Sequence, residues 1–73
     1  MSHTVTAELV ANVLKVEVEV GAKVSATDPV VILESMKMEI PVLADVDGVV
    51  TEIVARHGDV VTDGDPLVVI DES

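Results

Sequence analysis

The chain has 73 residues, no cysteine, no aromatic residue and a formal net charge of −10 at pH 7. The lack of cysteine excludes a disulfide framework and a thiolate metal site, and the negative charge argues against binding to nucleic acid, whose phosphates attract Lys and Arg. Charged residues interrupt the apolar runs before they reach the roughly 20 residues of a membrane span, and no signal peptide is evident. We therefore expect a single cytoplasmic domain over residues 1–73 that binds no membrane.

The apolar residues are mostly valine, isoleucine and leucine, which favours strands because β-branched side chains are restricted in helices. Leu14, Val16, Val18 and Val20 alternate with charged residues, the period-two pattern of a strand with one face in water. We predict eight short strands, near residues 4–10, 13–20, 23–25, 30–34, 38–43, 49–55, 60–62 and 67–71.

One pattern occurs twice along the chain. Gly21 and Gly58 lie 37 positions apart, and the same offset relates Asp28-Pro29 to Asp65-Pro66. Glycine and Asp-Pro each have a backbone reason to occupy turns, so these matches are more informative than matches between valines. Two copies are too few for a solenoid, and we predict a compact domain with approximate two-fold symmetry.

The pentad Glu34-Ser35-Met36-Lys37-Met38 links two predicted strands near the middle of the chain. A lysine head group resists burial, so Lys37 is expected to point into solvent. An ordinary turn would contain Gly, Asn, Asp or Pro, whereas this lysine is flanked by two methionines, whose flexible side chains suit an adaptable contact. The pattern predicts a lysine presented to another enzyme.

Met36-Lys37-Met38, with Glu34 ahead of it, resembles the attachment motif of biotin carrier domains, and the resemblance extends over nearly the whole chain. It is closest to small free-standing biotin/lipoyl attachment proteins. The resemblance implies that a biotin protein ligase attaches biotin to Lys37 and recognises Glu34, Met36 and Met38. It also implies that the biotin carries a carboxyl group between biotin carboxylase and carboxyltransferase subunits.

The same resemblance implies an all-β fold, a flattened barrel or sandwich of two four-stranded antiparallel sheets, with Lys37 on a protruding hairpin. We expect a monomer that is a carrier and not an enzyme. His3 and His57 have no companion at metal-ligand spacing, and Ser35 lies in no nucleophile motif, so neither a metal site nor a catalytic set is predicted.

Two alternatives remain open. A lipoyl carrier would use the same fold with lipoate on Lys37, although its usual motif is Asp-Lys-Ala. An unmodified adaptor module would also use this fold. In addition, many biotin carriers have Ala-Pro-Met-x-Gly where this chain has Ala7-Glu8-Leu9-Val10-Ala11, which leaves the docking of partners open.

Overall fold

The computed structural model describes residues Met1–Ser73 and contains eight β-strands and no helix. The strands are β1 (Ser2–Thr6), β2 (Ala11–Val16), β3 (Lys23–Val24), β4 (Pro29–Ser35), β5 (Met38–Leu43), β6 (Gly48–Ile53), β7 (Val60–Val61) and β8 (Pro66–Glu72). They form two four-stranded sheets, the β1 sheet in the order β1-β8-β6-β3 and the β5 sheet in the order β5-β4-β2-β7. All neighbouring strands are antiparallel. The predicted fold of two antiparallel four-stranded sheets is confirmed.

A shift of 37 positions converts the β5 sheet into the β1 sheet. The shift turns the pairing of β2 with β4 into the pairing of β6 with β8, so that Val13 opposite Leu33 corresponds to Val50 opposite Ile70. Both ladders also change register at equivalent positions, between Val13 and Lys15 and between Val50 and Glu52. The predicted internal two-fold symmetry is therefore present down to the register of individual strands.

The turn residues of the repeat make the same hydrogen bonds and adopt the same backbone angles in both halves. Asp28 and Asp65 each accept, at Oδ2, a hydrogen bond from the backbone N–H three residues earlier, at 2.9 and 2.8 Å. Each aspartate also donates its own backbone N–H to the carbonyl of that same earlier residue, so a side-chain and a backbone hydrogen bond close the turn together. Gly21 and Gly58 have φ angles of 93° and 92°, where a side chain would be strained. These constraints explain why these residue types recur at the offset of 37.

Aliphatic side chains alone fill the space between the sheets. The buried cluster has 15 members and no buried polar side chain accompanies it. Its members are Val5, Ala7, Ala11, Val13, Val24, Val30, Val31, Leu33, Ala44, Val50, Ala55, Val61, Leu67, Val68 and Ile70. The molecule measures 35 × 18 × 16 Å, so the core is thin and every strand contributes to it or borders it. The chain has no helix long and apolar enough to cross a membrane.

The first strand was predicted too far along the chain. A strand was expected near residues 4–10, but β1 ends at Thr6 and the next strand belongs to the other sheet. The residues between them cross from one sheet to the other, and Val10 in this crossing is 64% exposed. Local composition does not reveal such a crossing, because the same valine and leucine would suit a continuing strand.

The second strand was predicted correctly in type but not in its bounds, because β2 begins at Ala11 and ends at Val16, whereas residues 13–20 were expected. The register shift between Val13 and Lys15 places an extra residue in β2, which is a β-bulge. Before the bulge the buried residues are Ala11 and Val13, whereas after it Val16 packs against the core. The expected alternation holds for Leu14, Val16 and Val18, which are half-buried between exposed charged residues, but it fails at Val20, which is 63% exposed.

Candidate functional site

Lys37 lies at the tip of the hairpin formed by β4 and β5. The last pair of the ladder joins Ser35 to Met38, which leaves Met36 and Lys37 as a two-residue loop. Their φ angles are 53° and 65°. Positive φ at both central residues is the signature of a type I′ turn, whose twist matches that of the two flanking strands.

The residue types in this turn are unusual for its backbone. Type I′ turns favour Asn-Gly or Asp-Gly, since a Cβ atom costs about 1–2 kcal/mol per residue in the left-handed region. Met36 and Lys37 both carry that cost. The ladder of β4 with β5 compensates by fixing both strands up to the turn. Backbone strain retained in this way is common at functional sites.

Three successive pairs connect the turn to the core. Leu33 opposite Ile40 is the lowest pair, and Leu33 is completely buried. Glu34 opposite Glu39 comes next, and Ser35 opposite Met38 completes the ladder. With about 3.3 Å per residue along a strand, the turn lies roughly 10 Å beyond the last buried side chain.

The four residues that the sequence singled out come together on this hairpin. Lys37 is exposed, Met36 is 91% exposed and Met38 is 65% exposed. Glu34 is half-buried on β4, directly opposite Glu39. Lys37 takes part in neither of the two ion pairs of the chain. The tip thus presents one amine between two flexible apolar side chains, above a pair of carboxylates.

Comparison with known proteins identifies the family of the chain that carries this hairpin. A family model described as "Biotin-requiring enzyme" matches residues 2–70. The chain belongs to the biotin/lipoyl attachment family. A biotinylated protein TB7.3 homolog from Mycobacterium leprae is 50% identical over 70 residues, which cover 96% of this chain and 99% of that protein.

Solved structures show this biotin/lipoyl fold in two settings. A region of the Kluyveromyces lactis urea carboxylase superposes with a TM-score of 0.91 and 35% identity, covering 97% of this chain and 6% of that one. The lipoyl domain of the 2-oxoglutarate dehydrogenase complex from Azotobacter vinelandii superposes with a TM-score of 0.77 and 29% identity, covering 94% of this chain and 95% of that one. The fold therefore occurs both within a large carboxylase and as a separate lipoyl domain.

The residues present fit a covalently attached cofactor better than a cofactor held in a cavity. The three surface depressions are lined by other parts of the chain, and none includes Lys37 or its two methionines. The one nearest along the chain, a groove of about 270 Å³, starts only at Ile40. No group of three or more His, Cys, Asp or Glu side chains is arranged to hold a metal ion. An exposed amine with open space around it is what a covalent attachment requires.

One property of the site had no signal in the sequence. Neither Met36 nor Lys37 is a residue type that predicts positive φ, so sequence reasoning placed the lysine on a link without defining its turn. The predicted strands near residues 30–34 and 38–43 leave three residues between them, so the spacing does not define the two-residue loop that favours a primed turn.

Proposed function

We propose that the chain is a biotin carrier protein, with residues 1–73 forming one biotinyl-attachment domain and Lys37 Nζ carrying biotin in amide linkage. The observation that carries this proposal is the position of Lys37. It is the exposed tip residue of a strained hairpin, between two exposed methionines, in a member of the biotin/lipoyl family. The protein is then a carrier and a substrate of another enzyme, with no catalytic residues of its own.

The attachment step needs an activated acyl donor, which a biotin protein ligase supplies as biotinyl adenylate. The neutral Nζ of Lys37 attacks the carbonyl carbon, a C–N bond forms, the bond from that carbon to the phosphate oxygen breaks, and AMP leaves. The amine gives up its proton to a base outside this chain. No side chain of this chain is hydrogen-bonded to Lys37 to take up a proton. The ligase therefore provides the base.

Met36, Met38 and Glu34 are proposed as the residues that the ligase recognises. The two methionines are exposed, flexible and apolar, so they can adapt to a complementary apolar surface. Glu34 lies two pairs below Lys37 on the same hairpin and supplies a carboxylate of fixed position, since β4 holds its backbone. Together they give the ligase a way to distinguish Lys37 from the other two lysines of the chain.

Biotin, when bound, supplies a position that accepts a carboxyl group and releases it again. The chain's own part is to hold the attachment point about 10 Å away from the core, where a partner active site can receive it. The similar region within urea carboxylase supports partners of the carboxylase class. We propose that biotin carboxylase and carboxyltransferase subunits are these partners, and that the protein acts as a monomer in the cytoplasm.

Lipoate on Lys37 is the second candidate, because a lipoyl domain has the same fold. The flanking residues favour biotin, since Met36 and Met38 occupy the positions where lipoyl domains usually have Asp and Ala. If these flanks decide the choice, the double substitution Met36→Asp with Met38→Ala should lower biotinylation and raise lipoylation by purified ligases. An unchanged ratio of the two rates would show that the choice lies elsewhere in the domain.

The proposal is tested by mass spectrometry of the protein isolated from its own host, followed by peptide mapping across Met36-Lys37-Met38. We expect an added mass of one biotin less one water, located on Lys37. Lys37→Arg should abolish the adduct, because arginine keeps the charge but cannot form this amide, whereas Lys23→Arg on strand β3 should retain it. Biotin on the Lys37→Arg protein would refute the site. A lipoyl adduct would establish the second candidate, and a chain that purified ligase and biotin leave unmodified would favour an adaptor.

A further inference from the structure

The internal symmetry allows the lysine turn to be compared with an equivalent point in the other half of the chain. The offset of 37 relates Met36 to Ser73 and Val10 to Asp47. In the second half, the Ser73 N–H donates a hydrogen bond to the Asp47 carbonyl at 3.1 Å. In the first half, no backbone hydrogen bond joins the Met36 N–H to the Val10 carbonyl. The turn that carries Lys37 therefore lacks a contact that its counterpart makes.

The strand ladders show the same difference. The ladder of β6 with β8 includes Gly48 opposite Glu72 as its final pair. The ladder of β2 with β4 stops one pair earlier, at Asn12 opposite Glu34. The missing pair would have joined Ala11 to Ser35, at the base of the lysine turn. The two strands beside the turn thus separate one residue sooner than their symmetry mates do.

The residue at the point of separation explains the difference. A Cβ atom built on Gly48 would overlap the Asp71 carbonyl oxygen and lie 2.9 Å from Ile70 Cγ2. Such close approach of two backbones is possible only at glycine. Ala11, the symmetry mate of Gly48, carries this Cβ atom and is buried. Its methyl group occupies the space that β4 would need in order to approach β2 as closely as β8 approaches β6.

We propose that Ala11 is a positioning residue: its methyl group keeps the turn bearing Lys37 detached from β2, so that only the hairpin of β4 and β5 holds the turn. The Met36 N–H then faces water. Many biotin carriers have glycine at this position, so the detached turn distinguishes this chain from them. The consequence for a ligase rests on the function proposed above: the turn of this chain enters the ligase active site without first breaking a backbone hydrogen bond. A turn bonded to β2 would have to detach, and its apparent affinity would fall with the detached fraction.

The structural half of this proposal is tested by amide hydrogen exchange measured by NMR. In the wild type, we expect the Met36 amide to exchange at the rate of an unprotected amide. In Ala11→Gly, the methyl group is gone and the Met36 N–H can bond to the Val10 carbonyl, which should slow its exchange about tenfold. A Met36 amide that is already protected in the wild type, or that exchanges equally fast in Ala11→Gly, overturns the proposal.

A matched control separates this local effect from a general loss of stability. Ala55 is also a buried alanine, and it lies in the other half of the chain away from the lysine turn. Ala55→Gly removes a core methyl group and should leave the exchange of the Met36 amide unchanged. Slowing of that exchange in Ala55→Gly as well would contradict a specific role for Ala11.

The functional half is tested with a purified biotin protein ligase on the same variants. We expect kcat/KM to be lower for Ala11→Gly than for the wild type, by no more than the factor by which exchange of the Met36 amide slows. The fall should come from a higher KM, with kcat nearly unchanged. Slowed exchange with an unchanged kcat/KM would refute the link to the ligase. If the wild type takes up no biotin, the proposed function fails, while the exchange measurement still decides whether Ala11 holds the turn away from β2.

Discussion

Strands β5 and β1 occupy equivalent edges of the two sheets, yet their edges differ in chemistry. In each edge strand, residues that are hydrogen-bonded to the neighbouring strand, β4 or β8, alternate with residues whose N–H and C=O point away from the sheet. Pro41 on β5 and Thr4 on β1 are equivalent positions of the second kind. Pro41 has no N–H, so the β5 edge cannot accept a full added strand. Thr4 keeps its N–H. The two halves therefore share a strand arrangement but not the chemistry of their edges.

This contrast separates two kinds of residue. Residues with a backbone or core duty agree in the two halves, as the aspartates at positions 28 and 65 do through the same turn hydrogen bond. Other equivalent positions differ, as Ala11 and Gly48 do beside the lysine turn and its counterpart, and as Pro41 and Thr4 do at the sheet edges. The same substitution at two equivalent positions should therefore change the free energy of unfolding equally where both residues have the same structural role, and unequally where they do not.

The largest effect is expected in the core, where the halves should behave alike. Leu33 and Ile70 are symmetry mates, and both are completely buried. Truncating either one to alanine should lower the free energy of unfolding by about 2–5 kcal/mol, a large share of the 5–15 kcal/mol typical of small domains. Denaturant unfolding followed by circular dichroism suits a chain without aromatic residues. A difference of more than about 2 kcal/mol between the two variants would show that the symmetry does not extend to the energetics.

A smaller effect, confined to one half, is expected at Gly48. Gly48→Ala puts into the second half the methyl group that the first half already has, and it forces β8 away from β6 at Asp71. We expect a loss of about 1–3 kcal/mol of unfolding free energy, as for other overpacked sites. The Ser73 amide should also exchange faster, because its bond to the Asp47 carbonyl is lost. If Gly48→Ala had wild-type stability and an unchanged exchange rate at the Ser73 amide, a methyl group at this position would not separate the strands, and the proposed role of Ala11 would be contradicted.

The smallest effect concerns the two edges. Pro41→Thr gives the β5 edge the outward N–H that Thr4 provides on β1, and as a surface change it should alter the free energy of unfolding by less than about 0.5 kcal/mol. Self-association should rise slightly, and mainly in high salt, where the net charge of −10 is screened. Sedimentation velocity at several salt concentrations would measure it. The opposite change, Thr4→Pro, serves as the control and should not increase association.

Much of the frame could be predicted from the sequence because its determinants are local. Glycine occupies positions 21 and 58 because both have positive φ angles, and aspartate occupies both Asp-Pro sites because its side chain closes the turn. The same residue types therefore recur 37 positions apart. Two copies of one pattern then imply the symmetry. The proposed attachment site also stands out in the sequence, since a lysine between two methionines is an unusual choice for a link between strands.

The features that the sequence did not reveal depend on contacts between distant segments. The bulge in β2 reverses which side chains face the core, and it is defined only by the pairing with β4. The separation of the strands at Ala11 is visible only when its symmetry mate Gly48 is seen against Asp71. The strained φ angles of the lysine turn arise because the two strands leave only two residues to join them. Each requires knowledge of which strands are neighbours.

The pairing of β1 with β8 has a consequence for the order of events during protein synthesis. The first strand of the chain is an edge strand whose only partner is the last, so the β1 sheet cannot form until residues up to Glu72 have left the ribosome. The β4–β5 hairpin needs only neighbouring residues and can form earlier. At about 5–20 residues per second, the second half of the chain takes a few seconds to appear after Lys37. A ligase that requires the folded domain must therefore wait until Glu72 has emerged, although the hairpin that carries Lys37 can be complete earlier.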